Sequence, residues 1–160
     1  MDQRLKYSEV APEGIRALSE LEAYVGSAGL EPGLLGLIKT RASQINRCAY
    51  CIDMHTKDAR AAGETEQRLY ALSAWRETPF YTDREWAALA WTEAVTLISH
   101  GSVPDALYGE ARRHFSEKEL VDLTLALITI NAWNRLSISF RTVPGTYRGA
   151  PGREIVQTGV

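Results

Sequence analysis

Residues 116–140 constrain this chain more than any other stretch. Ser116-Glu-Lys-Glu119 is a capping box, which starts a helix. Behind it come Leu120, Val121, Leu123, Leu125, Leu127, Ile128, Ile130 and Trp133. At about 100° per residue these positions cover most of a helix's circumference. A helix apolar nearly all round must be covered on every side, either by other helices of the chain or in a subunit interface. The run is interrupted by Asp122, Thr124 and Thr129, and it falls short of the ~18 residues a membrane span needs.

The rest of the chain supplies helices to cover it. Convincing period-2 runs and Asn-Gly hairpins are missing, whereas helix starts and stops recur. The pattern predicts a helix over about residues 13–27 that stops near Gly29, and another from Pro32, at its first position, to about Ile45. Asn46-Arg47 then breaks the pattern. A third helix runs over about 49–62, with Gly63 just past its end. Thr65 caps a short fourth helix through Trp75, and a loop holding Pro79 follows. Thr82-Asp-Arg-Glu85 is a second capping box, opening a helix that ends near Gly101. Pro104 opens a sixth helix to about His114. From Arg141 the chain carries Pro144, Gly145, Gly149, Pro151 and Gly152, so an extended, mobile tail is expected unless a partner holds it. With no linker and no internal repeat, the expectation is one all-α domain of about six to seven helices.

Composition narrows the function. The 160 residues are 45% hydrophobic and 24% charged, with 18 basic and 20 acidic residues and a net charge of −2. That profile excludes disorder and a coiled-coil rod, and it offers no basic patch for nucleic acid. The first residues, MDQRLKYSEV, lack the apolar region of a secretory signal. A soluble cytoplasmic protein with no membrane partner is therefore expected. The only cysteines are Cys48 and Cys51, spaced C-x-x-C. In a reducing compartment such a pair points to redox or metal chemistry rather than to a structural staple.

The chemistry is concentrated in Cys48-Ala-Tyr-Cys51-Ile-Asp-Met-His55. If all three side chains are helical, Cys48, Cys51 and His55 fall within about 60° of one another. One face then places an imidazole within reach of a thiol, as nucleophile activation requires. The break at Asn46 puts both cysteines in the first turn of their helix. There the unsatisfied N–H groups and the dipole favour a thiolate, and Arg47 adds a neighbouring positive charge. A second cysteine so close can trap a sulfenic acid formed on the first. Two other readings compete. The cysteines could be small buried hydrophobes. Alternatively they could ligate zinc with His55, but His100 or His114 would then have to complete the set, because no second C-x-x-C exists.

At these residues the chain resembles the AhpD-like alkylhydroperoxidases of the carboxymuconolactone decarboxylase superfamily. The stretch KTRASQINRCAYCIDMHTKDARAAGE carries most of the likeness, supported by LSAWRETPFYTDREWAALAWTEAVTL and LVDLTLALITINAWNRL. Together they span roughly residues 30–140. The resemblance implies an all-helical bundle that assembles into trimers or hexamers. It implies a cofactor-free and metal-free thiol peroxidase that reduces hydroperoxides, with Cys51 attacking the peroxide, Cys48 resolving and His55 in the proton relay. A dithiol such as a lipoyl protein would be the reductant.

One position departs from the family. Its relay usually includes a Glu twelve residues before the first cysteine, where this chain has Gly36. Glu93 is the candidate substitute. On a helical projection it lies off the polar face formed by Glu85, Thr92, Thr96 and Ser99, between Leu89 and Leu97. Burial there would raise its pKa and suit it to proton transfer. The alternative is a boundary acid that pairs with an arginine. Tyr50, between the cysteines, packs as an aromatic or offers its hydroxyl to the site.

The remaining candidates read as structural. Trp75, Trp86, Trp91 and Trp133 are core or interface residues. His100 and Arg112-Arg113-His114 suit helix C-termini. Asp53, Lys57 and Asp58 form a solvated face. Alternatives to the peroxidase are a redox-sensing dithiol protein without efficient turnover, a decarboxylase like the superfamily's namesake enzymes, and a zinc-binding interaction module. The namesake enzymes do not depend on a C-x-x-C pair, so Cys48, Cys51 and His55 count against the decarboxylase.

Overall fold

Proline and capping side chains set most of the helix starts, and left-handed residues set several of the stops. The computed structural model describes residues 2–149. Its α-helices are α1 (Tyr7–Val10), α2 (Pro12–Ser27), α3 (Pro32–Asn46), α4 (Ala49–Ala61), α5 (Glu66–Ala71), α6 (Asp83–Thr96), α7 (Asp105–His114) and α8 (Glu117–Phe140). Short 3₁₀ turns follow α5 (Leu72–Glu77) and α6 (Ile98–His100), and the described residues contain no strand. Pro12 and Pro32 sit in the first turns of α2 and α3. Thr82 and Ser116 each close a reciprocal capping box, with Glu85 and Glu119.

The helix α3 is central and packs on α4, α6 and α8. One of its sides meets α6 and α8 through Ile38, Ala88, Leu123 and Leu127, all with no exposed surface. Leu37 turns to the other side, where it joins Leu72, Trp75, Tyr81 and Leu89. Trp75 meets Trp86 edge to face with ring centroids 4.6 Å apart. Each such large apolar side chain contributes about 1.5–3 kcal/mol of burial.

The all-α expectation holds, and the details differ in identifiable places. The single turn α1 precedes the first predicted helix, and Ala11, at φ −132°, separates the two. The fourth helix reaches only Ala71 as α-helix and continues as 3₁₀, with Ala74 off helical geometry at φ −119°, ψ 31°. The fifth ends at Thr96 rather than near Gly101. Pro104 is the residue before α7 rather than its first residue. Among the described residues α8 is covered on one side only. It buries Leu120, Leu123, Leu127 and Ile130, while Val121 and Ile128 are more than half exposed or nearly so, at 58% and 50%.

Two expectations are corrected at the C-terminal end. The tail from Arg141 does not run free over residues 142–149, and Asp53, Lys57 and Asp58 are not a solvated face. The Gly145 N–H donates to Asp53 Oδ2 (3.0 Å), Lys57 Nζ donates to the Tyr147 carbonyl (3.2 Å), and the Tyr147 hydroxyl donates to Asp58 Oδ1 (2.8 Å). A polar helix face looks solvated in sequence whether water or a returning backbone satisfies it. The rest of the predicted tail, 150–160, lies outside the described residues.

Candidate active site

The redox motif begins at a tight helix-to-helix junction. Arg47 takes a left-handed conformation at φ 58°, ψ 38°. The Cys48 N–H donates to the Ser43 carbonyl (2.9 Å) and the Arg47 N–H to the Gln44 carbonyl (3.1 Å), which closes α3 as a Schellman motif. Cys48 is thereby the N-cap of α4, and its Sγ accepts from the Cys51 N–H at 3.4 Å.

A buried polar network holds this junction against α8. Asn46 Nδ2 donates to Asn134 Oδ1 (2.8 Å) and to Asn131 Oδ1 (2.9 Å). Asn134 Nδ2 donates onward to Ser43 Oγ (3.1 Å), and Asn131 Nδ2 to Thr96 Oγ1 (3.3 Å). Asn134 and Ser43 are buried, so each bond replaces one that water cannot make. Sequence reasoning missed this network. Its one signal was the pair Asn131 and Asn134 inside an otherwise apolar helix.

Cys48 and Cys51 are joined as a disulfide, with Cα atoms 5.3 Å apart and both residues 1% exposed. The two differ in outlook. Cys51 and His55 line a cavity of about 590 Å³, and Cys48 does not. The walls are largely apolar, including Tyr7, Leu35, Met54 and Trp133. Such a volume suits an organic molecule of modest size. Tyr50 also faces the cavity, and burial pushes its phenol up from the ordinary value.

His55 is the unusual group here. Its Nε2 is shut away from solvent and has no hydrogen-bond partner among the described residues. Burial first, and the Lys39 ammonium second, push its pKa down to about 3. In this oxidised protein the ring is therefore neutral at pH 7, with a free base position or an unpaired N–H beside Cys51. Reduction would place a thiol or thiolate next to it, and an anion there draws the pKa back up.

The structure does not bring Glu93 to this cavity, which corrects the relay expectation. Glu93 Oε1 accepts from Arg41 Nη2 (2.7 Å), Arg41 Nε (3.1 Å) and Trp75 Nε1 (2.8 Å), and Oε2 accepts from Arg76 Nη2 (2.7 Å). Burial pushes the carboxyl up, but the bonds from Trp75, Arg76 and Arg41 outweigh it and hold it below the usual range. The alternative, a boundary acid paired with arginine, is the arrangement found. The carboxylates that do line the cysteine cavity are Asp58 of α4 and Glu22 of α2, the latter ion-paired with Lys39 of α3. Neither Glu22 nor Lys39 stood out in the sequence, because their elements meet only in the folded chain. His100 is exposed beyond α6 and His114 bonds Glu110 in α7 (3.1 Å), so neither reaches the cysteines. Among the described residues no three or more His, Cys, Asp or Glu cluster in a way that could hold a metal ion.

An all-helical fold with a buried C-x-x-C at a helix N-terminus and a histidine one turn on defines a class. The profile of the carboxymuconolactone decarboxylase family matches residues 12–94, more than half of the chain. The chain belongs to that family, on its AhpD-like side. It is 50% identical over 139 residues to the uncharacterized protein YdfG of Bacillus subtilis, covering 87% of this chain and 95% of that one. A protein of unknown function from Agrobacterium tumefaciens, provisionally assigned as the antioxidant defence protein AhpD, superposes with a TM-score of 0.88 at 44% identity, over 91% of this chain and 100% of that one. The debrominase Bmp8 superposes with a TM-score of 0.75 at 19% identity, over 84% of this chain and 73% of its own. At that identity the likeness concerns the fold alone.

Proposed function

We propose that the protein is a thiol-dependent peroxidase that reduces organic hydroperoxides through a Cys48/Cys51 dithiol–disulfide cycle. The observation that carries this reading is the asymmetry of the pair: Cys51 opens with His55 onto the 590 Å³ cavity and Cys48 lies behind it. The Cys51 thiol gives its proton to His55, and the thiolate attacks the outer peroxide oxygen. The O–O bond breaks, the alkoxide leaves and is protonated to the alcohol, and Cys51 becomes a sulfenic acid. The Cys48 thiol then loses its proton and attacks the Cys51 sulfur, the S–O bond breaks, the hydroxide takes up that proton and leaves as water, and the disulfide forms. The oxidised state of that cycle is the one the structure holds, with the two Cα atoms 5.3 Å apart, within the range a disulfide spans. A dithiol reductant such as a lipoyl protein supplies two electrons and two protons by thiol–disulfide exchange.

The apolar cavity supports an organic hydroperoxide in preference to hydrogen peroxide. The face of α8 that the described residues leave exposed supports association into a homo-oligomer. Val121, Leu125 and Ile128 lie there beside Trp91 and Tyr108, and light scattering tests the point. No described helix is long and apolar enough to cross a membrane. The cytoplasm is the compartment that suits a dithiol-recycled enzyme.

The experiment is a comparison of single-cysteine variants. Reduced Cys48→Ser protein treated with one equivalent of cumene hydroperoxide should accumulate a sulfenic acid on Cys51, seen by mass after trapping. Cys51→Ser should not react on the same timescale. The opposite pattern reverses the two roles, and inertness of both removes the peroxidase reading in favour of a dithiol sensor.

A further inference from the structure

The cavity beside Cys51 is largely apolar, yet an ion pair reaches into it from two different helices. Lys39 of α3 and Glu22 of α2 bond each other there. The Lys39 side chain is the more deeply placed, 12% exposed against 34% for Glu22. An ammonium in so dry a place is costly unless it is neutralised or used. Glu22, the more exposed partner, neutralises it, and both line the same cavity as Cys51 and His55 of α4. At Gly36, one turn earlier on the same face of α3, a Cβ would lie 3.7 Å from the Ala59 Cβ, an ordinary contact distance, so α3 and α4 are neighbours along this face. The effect of Lys39 reaches the His55 ring, where after burial it is the second cause that lowers the pKa.

We propose that Lys39, anchored by Glu22, is a positioning residue whose ammonium stabilises the Cys51 thiolate of the reduced protein. The proposal takes from the peroxidase reading only that Cys51 is the thiol facing the cavity. The other groups around that sulfur work the opposite way or are neutral. From α1 comes Tyr7 and from α2 Glu22. The α4 helix supplies Tyr50, the neutral His55 and Asp58, which is tied to the Tyr147 hydroxyl. Trp133 and Ser137 are the contributions of α8, and neither titrates. Lys39 is thus the one cation among the described residues that line the cavity, set against the acids Glu22 and Asp58. Without it, the thiolate would be left to the N-terminus of α4, to His55 as proton acceptor and to Arg47 at the junction.

The test needs no hydroperoxide. Reduced protein carrying Cys48→Ser is alkylated with iodoacetamide from about pH 5 to pH 10, and modification of Cys51 is followed by mass. Adding Lys39→Met should move the midpoint up by about one pH unit, with alkylation near pH 7 slowed about tenfold. Lys39→Arg should restore the midpoint to within about 0.3 unit. A midpoint that Lys39→Met leaves in place overturns the proposal, as does one that Lys39→Arg raises equally. Lys39 would then only staple α2 to α3. If Lys39→Met does not fold, Lys39→Gln, which still bonds Glu22, gives the same reading. A protein that shows the shift yet forms no sulfenic acid with cumene hydroperoxide loses the peroxidase reading and keeps this one. The reverse result loses only this one.

Discussion

Two charged clusters lie on opposite sides of α3, and they are built differently. Lys39 and Arg41 are two residues apart, hence about 200° round the helix. Lys39 turns to the cysteine cavity with Glu22, and Arg41 turns to Glu93, Trp75 and Arg76. In the second cluster the carboxylate receives four hydrogen bonds and is held ionised. In the first, a buried ring nitrogen has no partner among the described residues and its ring is held neutral. A satisfied cluster joins helices together. An unsatisfied polar atom beside a redox pair costs stability and leaves a position open for chemistry.

The largest expected effect separates the two sides by activity. Cys51→Ser should lower hydroperoxide-driven oxidation of dihydrolipoamide by at least about a thousandfold, because it removes the nucleophile. Glu93→Gln should stay within about twofold in the same assay. A Glu93→Gln enzyme as slow as Cys51→Ser would erase the distinction and return Glu93 to the relay.

The next effect concerns pH. Below about 6.5 the unfolded chain protonates His55, whereas the folded oxidised protein resists until about pH 3. The unfolded state then binds more protons, so stability falls as pH drops through that window and is full above it. Between pH 7 and pH 4 the oxidised protein should lose about 2–3 kcal/mol more than a His55→Gln variant does, measured by denaturant unfolding. Equal losses would mean that the ring is not held neutral.

Glu93→Gln should cost about 2 kcal/mol of stability with no change in redox behaviour, since it leaves Arg41 and Arg76 short of a counter-charge. A stability unchanged in thermal unfolding would show that the cluster does not join α3, α6 and the 3₁₀ turn as argued. The smallest effect belongs to the junction. Arg47→Gly removes a side chain from the left-handed region, offset in part by the greater freedom of unfolded glycine. A gain of up to about 1 kcal/mol is expected, and a loss would mean that the Arg47 side chain itself holds the turn.

Local signals were legible where one residue's chemistry decides a local outcome. Thr82 and Ser116 need only the amide three residues on, so both capping boxes could be read and both are present. Cys48 and Cys51 occupy one helix start, so their pairing followed from spacing, whereas Cys48, extended at the N-cap, does not share the cavity of Cys51 and His55. Glu93 stands out in the sequence as an acid off the polar face, but the sequence leaves open whether it serves the relay or pairs with an arginine. A projection shows which face a residue takes and not whether an arginine from another helix waits there. Asp53, Lys57 and Asp58 failed for the same reason, because their partners lie near residue 145, about ninety positions along the chain.

The sequence by itself determined the helix starts and stops, the all-α class and the placing of a thiol pair at a helix N-terminus, because each rests on contacts within a few residues. Only the tertiary structure decided which cysteine faces the cavity. It alone brought Glu22 from α2 to Lys39, tied Asn46 to Asn131 and Asn134, and closed Arg41 and Arg76 around Glu93. Those pairings join positions 17 to 88 residues apart. Charge and polarity in a sequence state what a side chain can bond, and packing decides which partner reaches it first.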